Sequence, residues 1–100
     1  MKPKRKRTGT NLIAVERQRQ IHKEKYNKEH DAEHTNGELA IAGSTYALPP
    51  RLRMFLLYKN APMNWPWDEE YWKPVPNDRV KELVKAGALI AAEIDRLLRD

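Results

Sequence analysis

His30, Asp31, His34 and Glu38 are the residues of this chain whose types and spacing could carry chemistry. They fall in Glu29-His30-Asp31-Ala32-Glu33-His34-Thr35-Asn36-Gly37-Glu38, a stretch holding two of the three histidines and four of the fourteen acidic residues. Two histidines four apart share a face wherever the backbone is helical, and imidazole is a good ligand for divalent transition metals. Asp31, Glu33 or Glu38 could add oxygen ligands. A plainer role is also open to the acids, because negative charge just before a helix stabilises its N-terminus by about 0.3–1 kcal/mol. That accounts for carboxylates but not for paired histidines. In a third use, His30, His34, Lys73 and Arg79 would contact an anionic ligand while Trp65 or Trp72 stacks on it. Those residue types suit a nucleotide, though no glycine-rich phosphate loop accompanies them.

Other chemistry is excluded or confined to one end. The chain has no cysteine, which removes disulfides, thiolate metal sites and cysteine nucleophiles. No Ser-His-Asp order or nucleophile elbow is visible. Lys2, Lys4, Arg5, Lys6 and Arg7 supply five of the nineteen basic residues, leaving fourteen to balance the fourteen acidic ones. The net charge of +5 therefore belongs to a basic, flexible tail over residues 1–10. Such a tail can bind nucleic-acid phosphates through counterion release, or simply keep the protein in solution. No apolar run approaches the roughly 20 residues that span a bilayer, so a cytoplasmic protein without membrane contact is expected.

The elements that must position the polar cluster are mostly helical, within one small domain over residues 11–100. Thr8-Gly9-Thr10-Asn11 opens a polar helix over about 12–26, whose only aliphatic anchors are Leu12, Ile13, Val15 and Ile21. Residues 27–34 read as a charged connection. Thr35-Asn36-Gly37-Glu38 matches a capping box for a helix carrying Leu39, Ala42, Gly43 and Tyr46, which Pro49-Pro50 ends. The period of residues 51–59 is ambiguous between helix and strand, with helix favoured. Residues 60–77 form a loop rich in proline that holds all three tryptophans. Rings of that size cover an edge of a small core or wall a planar ligand. Asn77 or Asp78 caps the last helix. Val80, Leu83, Val84, Gly87, Ile90, Ala91, Ile94, Leu97 and Leu98 form its single apolar stripe. Its slim Ala-Gly middle predicts close packing on the slim Ala40-Ala42-Gly43 region. The expected fold is a mostly α bundle of three to four helices with this pair as its core.

His30-Asp31 is similar to the metal-binding pair of HD phosphohydrolases, over those two residues only. Glu38 with the distal Glu93 and Asp95 invites comparison with MazG-like nucleotide pyrophosphohydrolases, but the paired Glu-x-x-Glu motif is missing. A broader resemblance rests on motifs in fixed order. These are Glu16-Arg17-Gln18-Arg19-Gln20, Glu29-His30-Asp31 through His34, Gly37-Glu38-Leu39-Ala40 and Tyr46-Ala47. Trp65-Pro66-Trp67, Trp72-Lys73-Pro74, Leu83 to Ile90 and Ala92-Glu93-Ile94 follow. Over residues 11–98 the chain resembles a family of small proteins of tailed phages and prophages. That likeness implies a phage-encoded accessory protein in the bacterial host cell, and it brings no catalytic residues with it; whether a cofactor is used is left open. The leading expectation is a protein that acts by binding a host protein or a nucleotide-like ligand through His30, Asp31, His34, Glu38, Trp65, Trp72 and Lys73. A metal-dependent nucleotide hydrolase is the first alternative, and nucleic-acid binding by the tail the second.

Overall fold

The computed structural model describes residues 7–99. Lys2, Lys4, Arg5 and Lys6 of the basic tail lie outside the described residues, and Arg7 is exposed. Helix α1 (Gly9–Lys23) begins earlier than its apolar pattern alone suggests, because the Thr8 side chain accepts from the Asn11 amide and caps it. After α1, Lys25 adopts a left-handed conformation (φ 63°), and the chain turns back so that the Tyr26 amide donates to the Gln20 carbonyl. The expected connection then contains a short helix, α2 (Lys28–Ala32), whose Asn27 side chain accepts from the His30 amide.

Helix α3 (Glu38–Ala47) follows a turn through Gly37, whose φ of 82° suits glycine. The expected capping box does not form. Gly37 occupies the cap position without a side-chain bond, and Glu38 Oε1 instead accepts from the Asn36 amide at 2.6 Å. Pro49 and Pro50 end α3 as expected, and Pro50 opens a single turn, α4 (Pro50–Arg53). A 3-10 turn (Met54–Leu56) leads into a two-stranded hairpin, β1 (Leu57–Tyr58) and β2 (Ala61–Pro62), in which Tyr58 faces Ala61. The proline-rich segment then runs through a 3-10 turn (Glu69–Tyr71) to the long helix α5 (Arg79–Arg99), where Asp78 Oδ1 accepts from the Lys81 amide.

Helices α1 and α3 both pack on α5. The core comprises Leu39, Ala42 and Tyr46 of α3, Ala86, Leu89 and Ala92 of α5, and Ala61 and Trp65 of the intervening segment. A Cβ at Gly43 would lie 3.0 Å from the Ala86 carbonyl oxygen, so the slim middles do bring α3 and α5 together. The buried face of α5 is nevertheless not the aliphatic stripe. Glu82, Ala86, Ala88, Leu89, Ala92 and Arg96 point inward, while Val80, Leu83, Ile90, Ile94, Leu97 and Leu98 are exposed. Of the stripe, Gly87 packs beside Ile13 and Ile90 beside Gly43, while its other large side chains stay largely outside the core. Small residues let the backbones approach, and the two charged residues on that face have polar partners.

Those partners tie the chain together. Glu82, fully buried, accepts from Arg53 at 2.8 Å, from the Val75 amide at 3.0 Å and from Arg79 at 3.2 Å. Arg53 and Arg79 also donate to main-chain carbonyls at the end of α3, including that of Tyr46. Burial alone would raise the Glu82 carboxyl, but these donors win and hold it below the ordinary glutamate range. Among the described residues, no helix is long and apolar enough to cross a membrane.

Candidate functional site

Four of the seven residues expected to bind ligand form one connected chain. Arg17, from the middle of α1, donates to Asp31 Oδ2 at 3.0 Å and to the Tyr26 carbonyl at 3.0 Å. Asp31 is fully buried, and its other oxygen meets His30 Nδ1 at 3.0 Å. His30 Nε2 faces His34 Nε2 at 3.2 Å, and His34 Nδ1 lies 3.3 Å from Glu38 Oε2. The linkage thus runs Arg17, Asp31, His30, His34, Glu38. Burial acts to raise the Glu38 carboxyl, but the backbone amides of Glu38 and Asn36 and the His34 ring hold it lower than usual.

The i, i+4 spacing works because α2 covers His30 and its last turn continues to His34, whose amide donates to the Asp31 carbonyl at 3.1 Å. Ring contacts fix both imidazoles from outside the segment. Tyr26 stacks on His30 with centroids 4.7 Å apart and planes 16° from parallel, and Trp67 packs on His34 at 5.1 Å.

These rings wall an open cleft of about 500 Å³ lined by Glu24, Tyr26, His30, Glu33, His34, Pro66, Trp67, Asp68 and Tyr71. It is within the range of small-molecule sites, about 300–1,000 Å³. Three carboxylates and, among the described residues, no lysine or arginine line it; Glu24 is already paired with Arg19 at 3.1 Å and Lys73 at 3.9 Å, which leaves Glu33 and Asp68 to favour positive charge there. The indole Nε1 of Trp67 is buried and has no hydrogen-bond partner among the described residues.

The remaining expected residues lie elsewhere. Trp65 is buried in the core, edge-on to Tyr46, with its Nε1 donating to the Asp68 carbonyl. Trp72 stacks on Tyr46 at 4.6 Å under the Arg53 guanidinium and lines a separate shallow groove with Pro50, Pro62, Pro74 and Pro76. Lys73 sits 3.9 Å from Glu24 and borders a narrow crevice of about 30 Å³, room for about one water. Lys85 and Tyr46 share that crevice, where burial lowers the Lys85 ammonium and pushes the Tyr46 phenol up to about 12. Arg79 is engaged with Glu82 and the end of α3. The anion-binding set of His30, His34, Lys73 and Arg79 is therefore not brought together.

Tyr26, Trp67 and Asp68 are cleft residues that sequence patterns did not single out as ligand contacts, whereas Glu33 was among the possible oxygen ligands. Among the described residues, no group of three or more His, Cys, Asp or Glu side chains is arranged to hold a metal ion. No protein-family model matches the chain, and neither curated proteins nor solved structures contain a match to it.

Proposed function

We propose that this is a phage accessory protein that acts by binding a host protein, and that the cleft between α2 and the Trp-Pro-Trp segment receives a positively charged side chain of that partner. The phage assignment rests on the motif order described above. The binding reading is carried by one observation: the rings of Tyr26, Trp67 and Tyr71 and three carboxylates line the cleft beside the two imidazoles, with no lysine or arginine among the described lining residues. Aromatic faces and carboxylates together favour a desolvated cation, with each cation–π contact contributing about 0.5–2 kcal/mol. The same charge balance disfavours the phosphates of a nucleotide. Asp31 and Glu38 are occupied in holding the two imidazoles and serve here as positioning residues.

The test is affinity capture from phage-infected host cells, comparing the intact chain with Glu33→Lys and Trp67→Ala. One host protein retained in stoichiometric amount by the wild type and released by both variants is the expected result. Equal retention by all three proteins removes the cleft from the function.

Two alternatives remain as proposals. Metal-dependent nucleotide hydrolysis draws on the paired imidazoles, and substrate turnover lost in a His30→Ala/His34→Ala variant would support it. Nucleic-acid binding draws on Lys2, Lys4, Arg5, Lys6 and Arg7. Removing residues 1–7 would then weaken binding and flatten its salt dependence.

A further inference from the structure

We propose that His30 and His34 form a binding site for a divalent transition metal of the zinc class, with their Nε2 atoms as ligands. Each ring has its Nδ1 against a carboxylate, Asp31 at 3.0 Å for His30 and Glu38 at 3.3 Å for His34. An ionised carboxylate can only accept, so each Nδ1 carries its proton, and the lone pair of each neutral ring is on Nε2. The two Nε2 atoms then stand 3.2 Å apart, each with a lone pair. Two lone pairs at that distance repel, and a cation shared between them turns the repulsion into attraction.

The spacing suits a metal ion. Zinc–nitrogen bonds of about 2.0–2.1 Å at a tetrahedral angle place two imidazole nitrogens roughly 3.3–3.4 Å apart. The observed 3.2 Å corresponds to an angle of roughly 103° at the same bond length. A carboxylate behind each metal-binding histidine is also the usual arrangement, because it fixes the tautomer and raises the basicity of the ligating nitrogen. Here Asp31 and Glu38 fill that role on separate rings, with His30 stacked on Tyr26 and His34 packed at a tilt against Trp67. Two imidazoles favour Zn²⁺, Co²⁺, Ni²⁺ or Cu²⁺ over Mg²⁺ or Ca²⁺, which prefer all-oxygen sites. Both histidines line the cleft, so water can complete the remaining coordination positions. The metal site stands independently of the partner proposed for the cleft.

The rival occupant of the gap is a single proton bridging the two rings, and the experiment separates it from a metal. Tag-free, metal-stripped full-length protein is titrated with Zn²⁺ at neutral pH by calorimetry, while the ring nitrogens of all three histidines are followed by ¹⁵N NMR. The expected result is one ion per chain, with the Nε2 resonances of His30 and His34 shifted and those of His22 unchanged. Glu38→Gln, at a partly exposed position, should weaken binding about 10–100-fold with an unaltered circular dichroism spectrum. No saturable binding up to millimolar Zn²⁺ would overturn the site, as would binding that leaves both Nε2 resonances in place. Equal affinity in Glu38→Gln would do the same. Because the NMR readout uses the wild-type chain, the answer does not depend on a histidine variant folding.

Discussion

Replacing Asp31 by alanine tests whether the most conspicuous acid of the polar cluster serves the fold. The Asp31 side chain is fully buried and that of Arg17 is 10% exposed, so truncation strands a buried guanidinium. Two partners remain to Arg17, the Tyr26 carbonyl at 3.0 Å and Asp95, whose carboxylate is 3.7 Å away and half exposed. A carboxylate so exposed recovers little, since solvated pairs contribute about 0–1 kcal/mol. Breaking a buried pair by removing one partner costs about 3–5 kcal/mol. At about 4–8 °C per kcal/mol for a domain of this size, Asp31→Ala should lower the Tm by roughly 12–40 °C. Thermal unfolding followed by circular dichroism measures this directly. The double variant Arg17→Met/Asp31→Leu, which removes both charges, should regain most of the loss. A fall below about 4 °C for Asp31→Ala, which corresponds to less than about 1 kcal/mol, would refute the reasoning. It would mean that water or Asp95 compensates the guanidinium.

Three further outcomes follow from the packing. Glu82 has a depressed folded-state pKa, so its stabilisation is complete above the unfolded value, about 4.3, and is lost as pH falls through the lower folded value. Glu82→Gln should therefore be less stable at neutral pH with a flatter acid limb, and an unchanged acid limb in denaturant titrations would contradict this. Gly43→Val places a Cβ 3.0 Å from the Ala86 carbonyl oxygen and should cost about 1–3 kcal/mol by overpacking, read as a lower urea midpoint. Gly9→Ala, with nothing within 4 Å of the added carbon, should leave the midpoint unchanged or slightly raised. Finally, Ile94→Asp should shift stability by no more than about 0.5 kcal/mol in the monomer, whereas Ala92→Asp should unfold the chain. The reverse order would show that the aliphatic stripe of α5 is the one that faces the core.

Much of the local structure was legible in one dimension because its causes are local. Pro49-Pro50 had to end α3, Asp78 could cap α5, and the slim Ala-Gly runs marked where two helices approach. The short helix carrying His30 was harder to see, since five residues are too few for a periodic signal. The packed face of α5 was not legible from its apolar stripe, for a different reason. An apolar stripe records amphipathicity, but the face that packs is chosen by how closely the partner backbone can come and whether Glu82 and Arg96 find counter-charges.

The polar cluster divides the same way. Sequence by itself determined that His30 and His34 stand four residues apart beside acids, and that their types suit a metal or a polar ligand. Tertiary structure decided what each acid does. Asp31 is drawn inward to Arg17, fourteen residues earlier, and Glu38 turns back to His34 and Asn36. It also decided that Trp67, rather than Trp65 or Trp72, meets the imidazoles. Those assignments depend on burial and on partners distant along the chain, which spacing does not encode.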